Sequence, residues 1–231
     1  STYPDKELTS LAQQNKLTKF ELQNQARRLL NKYTKRFATS FGGFWIGYNN
    51  NLNKTPTSLD YSMGNEGLLV LEDIIQNDRP LSSILNPGFT YLNNSLGNYY
   101  SLTGSSNATQ YVKVNSNDRG GMLNQAHFLI RTANVVQTNP IKRGVWVLDK
   151  VLCRSLPPLS IATLEEIKNA QKNIDPNATL VERMAAHRQY GSRCTACHSQ
   201  IDPLGLGLEK WDMKGKFRSQ YTNGQPVISN L

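Results

Sequence analysis

The sequence has few of the residues that most often carry metal and redox chemistry. Its 231 residues include three cysteines and three histidines. It also lacks any apolar run close to the roughly 18 residues of a membrane-spanning helix. The first residues, STYPDKELTS, are polar, so no signal peptide is expected within the chain. We therefore expect no transmembrane segment in this chain.

Acidic residues are scarce relative to basic ones. The chain has 17 Asp and Glu residues against 26 Lys and Arg, which gives a formal net charge of +9. Such an excess attracts acidic partners. The basic residues are spread along the sequence and no nucleic-acid motif accompanies them. We interpret them as a solvated basic surface and expect no nucleic-acid partner.

Hydrophobic periodicity predicts a mainly α fold with minor β structure at most. Apolar residues recur at helical spacing in three long segments, which are TKFELQNQARRLLNKY, SLDYSMGNEGLLVLEDIIQND and NPIKRGVWVLDKVLC. The clear β alternation is confined to TQYVKVNS, and FTYLNNSLGNYY predicts a short extended piece followed by a helical turn. The aromatic segment KRFATSFGGFWIGY is expected to pack inward.

A pair of prolines, Pro157 and Pro158, marks the predicted domain boundary. Two consecutive prolines cannot lie inside a helix, because each lacks an N–H and clashes with the preceding turn. We therefore expect a helical scaffold domain at residues 1–155. A small helical module is expected at residues 156–231.

The scarce residues gather within this second module. Cys194, Cys197 and His198 form Cys-x-x-Cys-His, the attachment signature of c-type haem. The spacing places both thiols on one side of a helical turn, where they can form thioethers with the two haem vinyl groups. His198 then lies beneath the iron as an axial ligand. The motif predicts one covalently bound haem c, so the module at residues 156–231 is expected to be a small helical haem segment similar in kind to cytochrome c.

The Cys-x-x-Cys-His motif has three other interpretations. A thioredoxin-like redox pair requires a βαβ setting, which the sequence pattern lacks. A four-ligand zinc site requires further Cys or His residues, and only His187 is near. A disulfide between Cys194 and Cys197 would be strained and would leave His198 without a role. The haem interpretation uses all three motif residues.

The residues on both sides of the motif extend the pattern. The segment LVERMAAHRQYGSRCTACHSQIDPLGLGLEKWDMKGKFR resembles the C-terminal haem-motif segment of the planctomycete-type multidomain c-type cytochromes. Trp211 stands where that family usually has Phe, and Phe217 where it usually has Trp. Upstream segments such as RGGMLNQAHFL resemble the family's preceding helical domain, so the resemblance covers nearly the whole chain. Because family members carry more sequence on both sides, we expect a fragment, or the ordered part, of a longer protein.

The resemblance implies a function in the bacterial cell envelope. Haem c is attached outside the cytoplasm, which implies an exported protein of the periplasm, outer membrane or cell surface. We expect electron transfer to or from an acidic redox partner protein, with a larger envelope complex as a further partner. A structural or binding component with an ancillary haem, and a haem enzyme with an open sixth site, stay as alternatives. Whether the chain is an enzyme is left open.

Further site residues follow from the motif and the resemblance. His187 lies close to the motif and within the resembling segment, which makes it the leading second axial ligand. Met213 and a vacant sixth position are the alternatives, although the family usually has a small residue at the position of Met213. The carbonyl of Pro203 is expected to accept the ring N–H of His198. Trp211 is expected at the haem edge or in the core.

Three residues remain outside the site. Met122 and His127 lie in an apolar segment that predicts a helix, so we expect both in the core. Cys153 is expected either to be buried as a small apolar residue or to pair with a cysteine outside this chain.

Overall fold

The protein is described by a computed structural model, which covers residues 3–48, 55–158, 164–165, 169, 178–189 and 191–227. The described helices are α1 (Lys6–Gln13), α2 (Lys19–Lys32), α3 (Thr34–Phe37), α4 (Gly43–Trp45), α5 (Ser58–Gln76), α6 (Asn94–Tyr100), α7 (Ala126–Arg131), α8 (Pro140–Trp146), α9 (Leu180–Arg188) and α10 (Ser192–Leu206). A π-helical stretch, Ala38–Gly42, joins α3 to α4, and another, Val147–Val151, extends α8. A 3₁₀ turn covers Leu81–Ile84. The predicted mainly α fold is confirmed.

The helices begin where the sequence supplies capping residues. Thr57 caps α5 in a capping box with Asp60, in which each side chain bonds the other residue's backbone N–H. Thr179 and Glu182 form the same arrangement at α9. Pro140 stands at the first turn of α8, where its missing N–H costs no hydrogen bond. These caps fix the starts of the helices around the core and around the motif.

The β structure is one antiparallel pair within the described residues. Strand β1 (Phe89–Leu92) pairs with β2 (Val112–Asn115), so that Phe89 lies opposite Asn115 and Leu92 opposite Val112. β1 is followed by α6, as the sequence FTYLNNSLGNYY predicts, and β2 falls in the predicted alternation TQYVKVNS. Both predictions of extended structure are confirmed.

The core lies between α5, the β pair and helices α7 and α8. Three clusters of buried apolar side chains fill it. Their buried members include Ile46, Val70, Leu71, Ile74 and Met122 in the first; Phe128, Leu129, Val147, Leu208 and Trp211 in the second; and Met63, Leu92, Leu96 and Ala126 in the third. The second cluster joins residues that precede the predicted domain boundary to residues that follow it.

Helix α10, which carries the Cys-x-x-Cys-His motif, packs closely on α8. A Cβ atom added at Gly144 would lie 2.2 Å from the carbonyl oxygen of Ile201, and one at Gly205 would lie 1.9 Å from that of Pro140. Real Cβ atoms do not approach carbonyl oxygens this closely. The two glycines therefore allow the helices to come into backbone contact and position the motif helix on the scaffold.

The aromatic segment before α5 packs inward only in part, because Ile46 and Tyr48 are buried in the core whereas three phenylalanines are exposed. Phe37 and Phe41 are about half exposed and stack with ring centroids 5.4 Å apart, and Phe44 is 91% exposed. The inward face of this continuous helix is instead formed by the small residues Ala38 and Gly42, which are buried. Small residues fit there because α3 and α4 lie close to α5, where a Cβ at position 42 would collide with Leu71.

The division predicted after residue 155 stays a prediction. The two proposed parts are in direct contact through α8 and α10. The segment ATLEEIKNAQKN, expected to form a helix after the prolines, lies mostly outside the described residues. Within the part of the chain that is described, no helix has both the length and the apolar character required to cross a membrane.

Candidate functional site

The motif residues lie near the start of one continuous helix. Cys194 and His198 are buried in α10, and Cys197 is half-buried. The thiols of Cys194 and Cys197 are free, so no disulfide joins them. Helix α10 continues through Pro203, which lies inside it. The two thiols are therefore presented from consecutive turns of a helix that extends well beyond the motif.

The imidazole of His198 is held by a carboxylate one helical turn further along. Nδ1 of His198 lies 2.8 Å from Oδ1 of Asp202, and the Asp202 side chain is 1% exposed. An ionised carboxylate only accepts hydrogen bonds, so Nδ1 must carry the proton. Nε2 is then left with a free lone pair, the form in which a neutral histidine binds a metal ion. Sequence reasoning missed Asp202, although its i,i+4 spacing from His198 was visible.

Pro203 does not have the role expected of it. Its carbonyl oxygen accepts the backbone N–H of Gly207, at 3.2 Å, and the ring N–H of His198 goes to Asp202 instead. The physical reason is that a carbonyl inside a helix points along the helix axis toward the following turn. A side chain four residues ahead lies on the same face as the imidazole and reaches it directly.

His187 is brought to the motif, as expected. Its ring centroid lies 4.6 Å from that of His198, with the ring planes tilted by 58°, and the side chain is buried at the end of α9. Burial lowers the pKa of His187, and a cation at His198 would lower it further. The neutral imidazole that results is the ligand form. Because the two rings are in contact, a flat macrocycle between them requires α9 to move away from α10.

The donor set fits haem c. The site provides two free thiols at the attachment spacing, one imidazole with its Nε2 available, and a second imidazole beside the first. Haem iron accepts imidazole ligands, and the two cysteine thiols would add to the haem vinyl groups to form the thioether links. Among the described residues, no group of three or more His, Cys, Asp or Glu side chains is arranged to hold a metal ion by itself.

Met213 and Trp211 lie beyond the end of α10. Met213 is half-buried in a turn that returns to Gly215, and Gly215 packs against the backbone of Ala126 in α7. Trp211 is 4% exposed and packs in the core with Phe128. Of the two roles expected for Trp211, the structure therefore shows the core role.

The remaining candidates lie in the scaffold. Met122 and His127 are both buried in the core, as expected. Cys153 is exposed and free, which corrects the expectation that it could be a buried apolar residue. It lies just after the π-helical extension of α8, with a positive φ of 53°.

A buried ion pair joins the scaffold to the chain after the motif. Arg143 in α8 and Glu209 have no exposed side-chain surface, and Nη1 lies 3.2 Å from Oε1. Arg143 also donates to the carbonyl oxygens of Leu208 and Trp211, and Arg218 donates to Glu209 at 2.7 Å. Burial lowers the pKa of Arg143 to about 10 and raises the pKa of Glu209.

This ion pair gives a structural reason for part of the segment that resembles the cytochromes. Glu209 belongs to its Glu-x-aromatic-Asp run, and Arg218 ends its Gly-x-aromatic-Arg run. Glu209 accepts from Arg143 of α8 and from Arg218, so both side chains help to dock the segment on the scaffold. The pairing with Arg143 spans 66 residues, and no local pattern in the sequence predicts it.

Two family models match the chain, one at each end. Residues 1–102 match PSD4, a protein of unknown function (DUF1592), and residues 119–221 match PSCyt3, a protein of unknown function (DUF1588). Each covers less than half of the chain. Both are uncharacterised domains associated with planctomycete cytochromes c. The chain is similar to cytochrome-associated domains along most of its length. No curated protein and no solved structure matches it.

Proposed function

We propose that this chain is a mono-haem c-type cytochrome domain of the bacterial cell envelope, which transfers electrons through haem c attached at Cys194 and Cys197. One observation carries the proposal. His198 Nδ1 is bonded to Asp202, which leaves Nε2 available on the same helix that presents two free thiols. His198 is the first axial ligand in this proposal and His187 the second.

Each residue of the site has a separate task. The thiols of Cys194 and Cys197 would tether the cofactor, and Nε2 of His198 would bind its iron. Bound haem supplies reversible one-electron chemistry, with a potential that depends on the axial ligands and on hydrogen bonds to them. The backbone contact between α8 and α10 holds the motif helix rigidly. A rigid site supports electron transfer, because its geometry then changes little between the two oxidation states.

His187 supports electron transfer over catalysis. Its ring lies beside that of His198, so it would supply a second imidazole ligand to the iron of a bound haem. A haem enzyme requires that position to be open for its substrate. The buried state of His187 and its lowered pKa both favour the neutral ligand form.

The proposal includes an exported location and an acidic redox partner. Haem c is attached outside the cytoplasm, so the chain would act in the periplasm, the outer membrane or at the cell surface. The net charge of +9 supports steering toward an acidic protein surface. Membership of a larger envelope complex is part of the proposal.

Visible spectroscopy with a redox titration tests the proposal. The chain would be expressed in a bacterium with a working haem-c maturation system, with His198→Ala prepared in parallel. We expect a six-coordinate low-spin spectrum in both oxidation states and a reversible one-electron titration, which the variant should lose. A high-spin wild-type spectrum would favour the enzyme with an open site. A protein without haem absorption would contradict the proposal.

A further inference from the structure

The carboxylate of Asp202 is buried, and only one of its two oxygens makes a hydrogen bond. The side chain is 1% exposed. One oxygen, Oδ1, bonds the ring of His198, but the other, Oδ2, has no hydrogen-bond partner. A buried charge is costly unless it is paired. The bond to His198 is therefore the main interaction that compensates for the burial of this carboxylate.

One cation lies near the second oxygen. Nε of Arg188, at the end of α9, is 3.4 Å from Oδ2. This distance allows charge attraction, but the contact does not meet the geometry of a hydrogen bond. His187, the neighbour of Arg188, contacts the ring of His198. The end of α9 thus contacts both members of the His198–Asp202 pair.

We infer that Asp202 is the positioning residue that fixes the orientation of His198 and lowers the reduction potential of the bound haem, and that Arg188 moderates this effect. The inference rests on the proposed function for the haem. Metal-bound histidines commonly donate their second N–H to a carboxylate, which fixes the ring and makes it a stronger ligand. A more basic imidazole favours the oxidised form of a bound iron.

Arg188 acts in the opposite direction in this arrangement. Its positive charge draws electron density toward Oδ2 and weakens the acceptor at Oδ1. Loss of the Arg188 charge should therefore strengthen the bond to His198, whereas loss of the Asp202 charge should weaken it. A purely structural role for the two residues would not predict shifts of opposite sign.

The first test measures potentials in the haem-loaded protein. Asp202→Asn keeps the size and an acceptor oxygen but removes the charge. It should shift the redox equilibrium at least tenfold toward the reduced form, which for a one-electron couple is about 59 mV upward. Arg188→Gln should shift it downward, and this shift should shrink in the double variant. The exposed Asp118 provides the matched control, since Asp118→Asn removes the same charge away from α10.

The second test does not require haem. In the wild-type chain made without haem maturation, nitrogen NMR of the imidazole should show the proton of His198 on Nδ1. Asp202→Ala should lose this preference. A wild-type ring protonated on Nε2 would overturn the inference whether or not haem binds. Covalent haem with equal potentials for Asp202→Asn and Asp118→Asn would also overturn it. A chain that shows the Nδ1 proton but never acquires haem would contradict the proposed function and leave the positioning role supported.

Discussion

Arg143 and Glu209 face each other with no exposed side-chain surface, Nη1 lying 3.2 Å from Oε1. The pair ties α8 to the chain that immediately follows the motif helix. Glu209 also accepts hydrogen bonds from Thr138 and Arg218, each at 2.7 Å. The helix that carries Cys194 and His198 is thus fixed to the scaffold by a charged network as well as by close backbone contact.

Glu209→Gln should strongly destabilise the protein. The substitution leaves Arg143 buried without its counter-charge, and breaking a buried pair in this way costs about 3–5 kcal/mol. Denaturant unfolding followed by circular dichroism measures the loss. Asp149→Asn is the control, because Asp149 pairs with Lys150 at the surface. Loss of a surface pair should change the free energy of unfolding little. Equal midpoints for the two variants would contradict a structural role for the buried pair.

Gly205→Ala should prevent the close packing of α10 on α8. The new Cβ would lie 1.9 Å from the carbonyl oxygen of Pro140, so the helices must separate. Overpacking of this kind typically costs about 1–3 kcal/mol. The comparison is with Ser199→Ala on the exposed face of the same helix, which should stay within about 0.5 kcal/mol of the wild type. Thermal unfolding of both variants checks this, and a fully stable Gly205→Ala protein would contradict the described packing.

Stability should fall in acid partly through Asp73. Burial raises the pKa of this carboxyl, but hydrogen bonds from Lys113, Tyr91 and Arg79 outweigh it, so the pKa lies below its ordinary value. A depressed folded-state pKa gives stability that is present above the unfolded-state pKa of about 3.9 and is lost as pH falls through the folded-state value. Asp73→Asn should be less stable than the wild type at pH 7. The difference should shrink below pH 4, and a difference independent of pH would refute the assignment.

His187→Ala should change the spin state of the haem-loaded protein. If His187 supplies the second axial ligand, its loss opens that position and gives a high-spin spectrum. Met213→Ala is the matched control and should leave the low-spin spectrum unchanged. A low-spin spectrum for His187→Ala with a high-spin spectrum for Met213→Ala would identify Met213 as the ligand. A low-spin spectrum in both variants, with the wild-type potential, would reject both residues.

The sequence predicted the elements that depend on local patterns. Apolar periodicity located α5 and α8, and period-two alternation located β2. The outward direction of Phe41 and its neighbouring phenylalanines was not predicted, because aromatic content suggested burial while the small residues Ala38 and Gly42 form the inward face. Local composition does not show which face of a helix meets a neighbour.

The site was only partly predictable for the same reason. Cys194, Cys197 and His198 follow from spacing alone, but the partner of the His198 ring was assigned to Pro203 instead of Asp202. Whether the His198 ring bonds a backbone or a side-chain acceptor depends on whether the helix continues through Pro203. A proline disfavours the interior of a helix, so local sequence argues against this continuation. The contact with Arg143 depends on tertiary packing that no local pattern encodes.

Intact-mass measurement of the denatured protein tests most directly the central claim that haem is covalently attached. The chain would be produced in a bacterium with a working haem-c maturation system, beside a Cys194→Ser, Cys197→Ser double variant. The wild type should exceed its sequence mass by one haem after denaturation, because thioether bonds survive unfolding, and the double variant should show the unmodified mass. An unmodified wild-type mass from this host would contradict the claim.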